Sequence, residues 1–160
     1  MVGMEVQTLD VRGPDDFDAA FDAGARGHLD GLIVLDDPLT FAYRARIVEF
    51  AESNGLLANY ERREWVEAGG LMAYGVNFHE VLHRAASHVD GLLKGARPSD
   101  LSVDAPTRFD FAVTLEAIKQ HGLSIPDSIC AQATEFTGEL NCEALSARAH
   151  DPGMSTESRH

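Results

Sequence analysis

Gly31-Leu32-Ile33-Val34-Leu35, followed at once by Asp36-Asp37-Pro38, is the stretch on which the fold turns. An unbroken apolar run of this length reads as a parallel strand covered on both faces, because a strand with one wet face would alternate. The two aspartates and the proline end it abruptly, since proline cannot donate to a central ladder. The segments on either side supply its neighbours. Upstream, Glu5 to Val11 is a strand candidate, and Gly13-Pro14-Asp15-Asp16 turns into a helix with acidic residues on its positive end. Phe17, Ala20, Phe21 and Gly24 mark that helix's buried stripe. Downstream, Phe41, Ala45, Val48 and Ala51 recur at helical spacing between Thr40 and Ser53, and Asn54-Gly55 supplies the stop. Leu56 to Tyr60 is the third strand.

Strand, helix, strand, helix, strand is the order of βαβ units, so the expected fold is α/β, a Rossmann-like parallel sheet with flanking helices. Such sheets take ligands beyond the carboxyl ends of their strands. Here those ends are Arg12-Gly13, Asp36-Asp37 and Glu61 to Glu64, three loops expected on one rim. After a flexible turn at Glu67 to Gly70, Leu71 to Tyr74 reads as a further strand, and Asn77 caps a long helix ending near Lys94-Gly95. Its core stripe is Phe78, Val81, Leu82, Ala85, Val89 and Leu92. A loop from Arg97 to Pro106, a strand from Arg108 to Val113, a helix from Leu115 to His121 stopped by Gly122, and a last helix opened by Pro126-Asp127 complete the pattern. From about Glu139 the residues turn small and polar, which reads as a disordered tail over 139–160.

Bulk properties exclude several functions. Thirteen basic against 26 acidic residues give a net charge of -13, which repels nucleic acid and anionic membranes; Arg62-Arg63, the lone adjacent basic pair, makes no patch. The opening MVGMEVQTLD has neither a basic leader nor an apolar core, and no apolar run is long enough to span a bilayer, so the chain as written carries no export signal and no anchor. Cys130 and Cys142 are too far apart for a redox CxxC and too few for a thiolate metal site, and read as two reduced thiols.

One motif suggests catalysis. Phe78-His79-Glu80-Val81-Leu82-His83 contains H-E-x-x-H, which sets two imidazoles one helical turn apart around a zinc ion. A zinc hydrolase also needs a third ligand. Position 89, where the extended motif places histidine, is Val89, and His88 misses by one residue, about 100° around the helix. Glu116 lies beyond a loop and a strand with no matching signature, and seven histidines make a chance match unsurprising. There is no G-x-S-x-G elbow and no glycine-rich phosphate loop. The chain is therefore read as a non-enzyme with no metal and no cofactor, and His79 and His83 as residues flanking a packing stripe.

The blocks Leu35-Asp36-Asp37-Pro38-Leu39-Thr40-Phe41-Ala42-Tyr43-Arg44-Ala45-Arg46-Ile47 and Arg63-Glu64-Trp65-Val66-Glu67-Ala68-Gly69-Gly70-Leu71-Met72-Ala73-Tyr74-Gly75 resemble the substrate-binding proteins of ABC transporters, the tryptophan/tyrosine-type binding proteins among them. Further blocks follow in order: Arg84-Ala85-Ala86, Val89-Asp90, Leu93-Lys94-Gly95-Ala96, Asp100-Leu101, Pro106-Thr107-Arg108-Phe109 and His121-Gly122-Leu123-Ser124-Ile125-Pro126. The similarity runs from about residue 5 to residue 136. It implies a two-lobed, type-I periplasmic binding protein that traps its ligand by hinge closure. Only the C-terminal part of that architecture is matched. Residues 1–75 correspond to second-lobe α/β structure, 76–138 to the segment returning to the first lobe, and 139–160 to the tail.

The resemblance further implies a small polar organic ligand such as an amino acid, an ABC permease as partner, and a periplasmic or extracellular location. Asp37 matches an acidic position at a strand end suited to a ligand ammonium group. Asp36 stands where relatives usually have Ser or Thr, Glu64 follows the third strand, and Tyr74 sits at the return crossing; together these four are the candidate ligand-binding residues. Asn59 falls inside a strand where relatives are apolar. Two rivals remain: a cytoplasmic ligand-sensing or interaction module, if Met1 is the true start, and the zinc hydrolase through His79, Glu80 and His83. A lobe whose complement is absent would leave a surface uncovered, including the helix from Phe78 to Lys94, and a homodimer through that surface is expected.

Overall fold

The apolar run does form a strand, and it lies at one edge of a mixed sheet. In the computed structural model, which describes residues 3–103 and 105–138, the strands are β1 (Gly31–Ile33), β2 (Leu57–Tyr60), β3 (Met72–Val76), β4 (Phe109–Thr114) and β5 (Glu135–Thr137). They form a sheet in the order β1-β2-β3-β4-β5. The first three run parallel, with Gly31 opposite Leu57 and Asn59 opposite Met72. β4 returns antiparallel to β3, Tyr74 facing Phe111 and Val76 facing Phe109, and β5 is parallel to β4. The helices are α1 (Asp16–Arg26), α2 (Pro38–Ala42), α3 (Arg44–Ser53), α4 (Arg63–Glu67), α5 (Phe78–Leu93), α6 (Leu115–Gln120) and α7 (Asp127–Cys130).

Two apolar clusters hold this together. The larger gathers Phe17, Val48, Ala51, Tyr60, Trp65 and Ala73 between α1, α3, α4 and the parallel strands. Its rings are stacked, Tyr60 on Trp65 at 4.7 Å and Phe21 on Phe50 at 4.5 Å between centroids. The smaller packs α6 and Ile125 onto β4 through Leu71, Val113, Leu115 and Ile118. Thr114 joins the two regions by donating its hydroxyl to the Gly70 carbonyl at 2.6 Å. Asn77 caps α5 as expected, its Oδ1 accepting from the Glu80 amide at 2.8 Å, and Gly95 and Gly122 take the positive φ values of 98° and 64° that end α5 and α6.

Several expectations are corrected. β1 is covered on one face, not two: Val34 is buried, while Ile33 and Leu35 remain about three-quarters exposed, at 75% and 72%, because the strand sits at the sheet edge. Glu5 to Val11 joins no ladder. Val11 packs onto the larger cluster, whereas Met4 and Val6 stay in solvent, so the segment is anchored by a side chain rather than by strand pairing. The helix expected from Thr40 to Ser53 is two helices, interrupted where Tyr43 leaves helical geometry at φ -101° and ψ 16°. Ala45 is consequently exposed, and Ile47 and Phe50 join Val48 and Ala51 inside.

Further corrections lie toward the C-terminus. The turn at Glu67 to Gly70 contains the end of α4 and is pinned at Gly70, whose amide donates to the Trp65 carbonyl at 2.9 Å. The three-residue strand β5 carries no pattern long enough to be anticipated. Cys130 is disulfide-bonded rather than a reduced thiol, since separation along the chain does not measure separation in space. Cys142 and the tail expected over 139–160 lie outside the described residues.

Gly75 shows how closely the strand ends are packed. A Cβ there would collide with the carbonyl oxygen of Glu61, in the loop that follows β2. Gly75→Ala is expected to destabilise the protein by about 2 kcal/mol, read as a lower urea midpoint at unchanged slope.

Candidate ligand-binding rim

The carboxyl ends of β1 and β2 meet, and the residues beyond them form one connected cluster. Asp37 is the N-cap of α2, in extended geometry at φ -143° and ψ 170°. Its Oδ1 accepts from the amides of Leu39 at 2.6 Å and Thr40 at 2.9 Å, and the Asp37 amide donates to Thr40 Oγ1 at 3.0 Å. The aspartate, threonine and proline of DDPLT therefore build a reciprocal cap, with Pro38 in the first turn where its missing N–H is harmless. Asp36 points the other way: its Oδ1 accepts from the indole Nε1–H of Trp65 at 3.0 Å, and its Oδ2 lies 3.5 Å from Arg62 Nη1.

Arg62 is the hub. It donates from Nη2 to Glu64 Oε1 at 2.9 Å and from Nε to Glu64 Oε2 at 3.4 Å, a two-point grip on one carboxylate. Its guanidinium carbon lies 3.9 Å from the centre of the Phe41 ring and 5.1 Å from that of Phe78. One side chain thus ties the loop after β2 to α2 and to the first turn of α5. The Arg62 hydrogen bond holds the Glu64 carboxyl below the usual carboxylate range, against a smaller opposing effect of burial. The same bond pushes Arg62 further up.

Of the four candidate residues, Asp36 and Glu64 are brought together through Arg62, and Asp37 adjoins them as a cap. Tyr74 belongs to a separate aromatic group on β3 and β4, parallel to Phe109 at 5.7 Å and edge-on to Phe111 at 5.9 Å, and is half-exposed. Arg12 and Gly13 do not join the cluster; their amides donate to Asp16 Oδ2 at 2.8 and 3.0 Å. Sequence reading missed Arg62, Trp65 and Phe41. The available signal was a cation placed among acidic residues at a strand end, set aside because Arg62-Arg63 made no extended patch.

The H-E-x-x-H segment occupies the start of α5. Glu80 Oε1 accepts from Arg84 Nη2 at 2.9 Å and Thr107 Oγ1 at 3.3 Å, so the carboxylate fastens the loop before β4. Among the described residues no three or more His, Cys, Asp or Glu side chains are grouped to hold a metal ion. The expected core stripe of α5 is corrected as well. No residue of α5 is fully buried, and Phe78, Leu82, Val89 and Leu92 face solvent, because no described element packs over that side.

Capped, charged loops beyond the carboxyl ends of parallel strands stand where sheets of this kind take ligands. Residues 2–137 match the family described as ABC transporter substrate binding proteins, and the chain belongs to that family. Three solved structures share the fold. An ABC domain in complex with L-Trp from Streptococcus pneumonia aligns at a TM-score of 0.75 and 20% identity, over 84% of this chain and 46% of its own. A conserved domain protein from Vibrio cholerae aligns at 0.68 and 23%, over 77% and 41%. A ligand-free, open substrate binding protein with adhesive properties from Clostridium difficile aligns at 0.56 and 19%, over 79% and 42%. The chain therefore spans less than half the length of each. All three share the periplasmic-binding-protein fold. No curated protein sequence matches. The family is typically periplasmic or extracellular, and among the described residues no helix is long and apolar enough to cross a membrane.

Two outcomes are expected. A group whose folded pKa is depressed stabilises fully above its unfolded pKa and loses that contribution as pH falls through the folded value. Unfolding free energy should therefore decline below the usual carboxylate range, and Glu64→Gln should flatten that part of a urea-derived stability-against-pH curve. Trp65→Phe, which removes the indole donor to Asp36 while keeping a ring, should lower stability by about 1–3 kcal/mol in urea unfolding at neutral pH.

Proposed function

We propose that this chain is the solute-binding part of an ABC transporter system, holding a small polar organic ligand such as an amino acid at the rim formed by Asp36, Asp37 and Glu64, with Tyr74 lining the approach. The observation that carries this reading is the cluster at the carboxyl ends of β1 and β2, where Asp36 and Glu64 converge on one arginine. Ligands of parallel sheets sit at that edge, and fixed carboxylates suit an ammonium group. The chain acts by binding and not by catalysis, delivers its ligand to an ABC permease, and works in the periplasm or outside the cell. Residues 1–75 serve as second-lobe structure and 76–138 as the segment that reaches toward a complementary lobe.

The exposed apolar side of α5 favours a second association. Phe78, Leu82, Val89 and Leu92 lie along one side of a helix that has no fully buried residue. A homodimer through this side would remove them from water. Sedimentation equilibrium of the 160-residue chain should show it, and Leu82→Glu should return the protein to a monomer.

The ligand reading is tested by thermal melting against a panel of amino acids and small carboxylates, with zinc and a chelator as separate conditions. One class of amino acid is expected to raise Tm. Asp37→Ser, which keeps a capping oxygen but removes the charge, and Glu64→Gln should each reduce the rise. A rise with zinc alone that disappears in His83→Ala would replace this reading with the hydrolase.

A further inference from the structure

The seat of the Arg62 guanidinium has the chemistry of a cation-recognition site. Its walls are the rings of Phe41 and Phe78, 3.9 and 5.1 Å from the guanidinium carbon, and its polar edge is the Asp36 and Glu64 carboxylates. Aromatic faces are negative at the centre, and with carboxylates at the edge they form the combination that holds guanidinium and alkylammonium groups. An incoming anion would meet two carboxylates, Asp36 and Glu64, against one arginine already gripped at two points by Glu64.

The seat is built without help from its occupant. Asp36 is oriented by the Nε1–H of Trp65, a side chain with 0% exposure that is itself stacked on Tyr60. Phe41 rests edge-on against the same indole at 6.4 Å, and Phe78 follows the Asn77 cap of α5. Phe41 and one carboxylate thus rest on the buried Trp65, whereas Phe78 is a half-exposed wall. The hold of Arg62 on that framework is the weaker of its two: 3.5 Å to Asp36 against 2.9 Å to Glu64, whose carboxylate is on the solvent side at 39% exposure.

We propose that this seat receives the planar cationic group of a small solute, a guanidinium or amidinium, and that Arg62 is a resident competitor which the ligand displaces. The inference rests on the reading of the rim as the ligand site and narrows it to one kind of charged group. A self-occupied site binds its ligand less tightly by the fraction of time it is filled, so removing Arg62 should strengthen binding rather than weaken it. That sign is opposite to the one a carboxylate-anchoring arginine gives.

Trp65 is the one tryptophan in the chain, so its fluorescence reports on the seat directly. Methylguanidinium, titrated at constant ionic strength below denaturing concentrations, should bind Arg62→Ala at least about tenfold more tightly than the unmodified chain. The gain should vanish in Arg62→Ala with Asp36→Asn. A folded Arg62→Ala protein that binds no more tightly overturns the proposal and leaves Arg62 a structural cross-link. Should Arg62→Ala fail to fold, the unmodified chain decides. The Arg62 Nε–H resonance, shifted by the Phe41 ring, should move saturably toward the solvent position as methylguanidinium is added, and a resonance that stays put overturns the proposal equally. An amino acid that raises Tm without methylguanidinium binding would sink the displacement idea alone, whereas methylguanidinium binding with no amino-acid response would sink the amino-acid reading alone.

Discussion

The position of the Trp65 indole governs more of this molecule than any other contact. It is fully buried, stacks on Tyr60 from the second strand, receives Phe41 on its edge, and spends its single N–H on Asp36 beyond the first strand. An indole in an apolar core needs a partner for that N–H, and a carboxylate at a strand end needs a donor once it is partly withdrawn from water. Each satisfies the other, so packing and rim geometry are set by one requirement. The neighbouring ring has no such resolution: the Tyr60 hydroxyl is buried without a hydrogen-bond partner among the described residues, and burial together with Glu52 pushes its ionisation far up, keeping the phenol neutral. Asn59 Oδ1, one residue earlier, is left in the same condition.

Much of this was legible in the residues. The apolar run at 31–35, the stop at Asn54-Gly55 and the Asn77 cap are local signals with local causes, and the parallel β1-β2-β3 order follows from them. The ordered blocks from Leu35 to Pro126 placed the chain in the family that residues 2–137 match. The failures have one source, which is that periodicity reports what a face wants and not whether another element arrives to cover it. Ile33 and Leu35 are apolar at a sheet edge, and the α5 stripe is apolar over open solvent. Arg62 was invisible for a related reason: its partners Phe41, Asp36 and Phe78 lie 21, 26 and 16 positions away by residue number and come together only in the fold.

Asp37 and Asp36 show how adjacent identical residues divide their work. One closes a helix start with a reciprocal threonine cap, and the other turns toward the indole and the arginine. Their backbone and side-chain commitments are fixed by different neighbours, which sets a negative edge at the strand ends.

The antiparallel pairing of β3 with β4 has a mechanical meaning. The chain leaves the sheet for α5 along β3 and returns along β4, and the two are laddered from Met72 opposite Val113 to Val76 opposite Phe109. Asn77 Nδ2 clasps the end of this strap through both carboxylate oxygens of Asp110, at 2.9 Å each. A helix mounted on a hydrogen-bonded ribbon is a paddle on a torsion bar: stretching or splaying must break ladder bonds, whereas twisting spreads a small change over every residue pair. Any rotation of α5 relative to the rim would thus be elastic, returning the Phe78 ring to the same place beside Arg62 when the load is released.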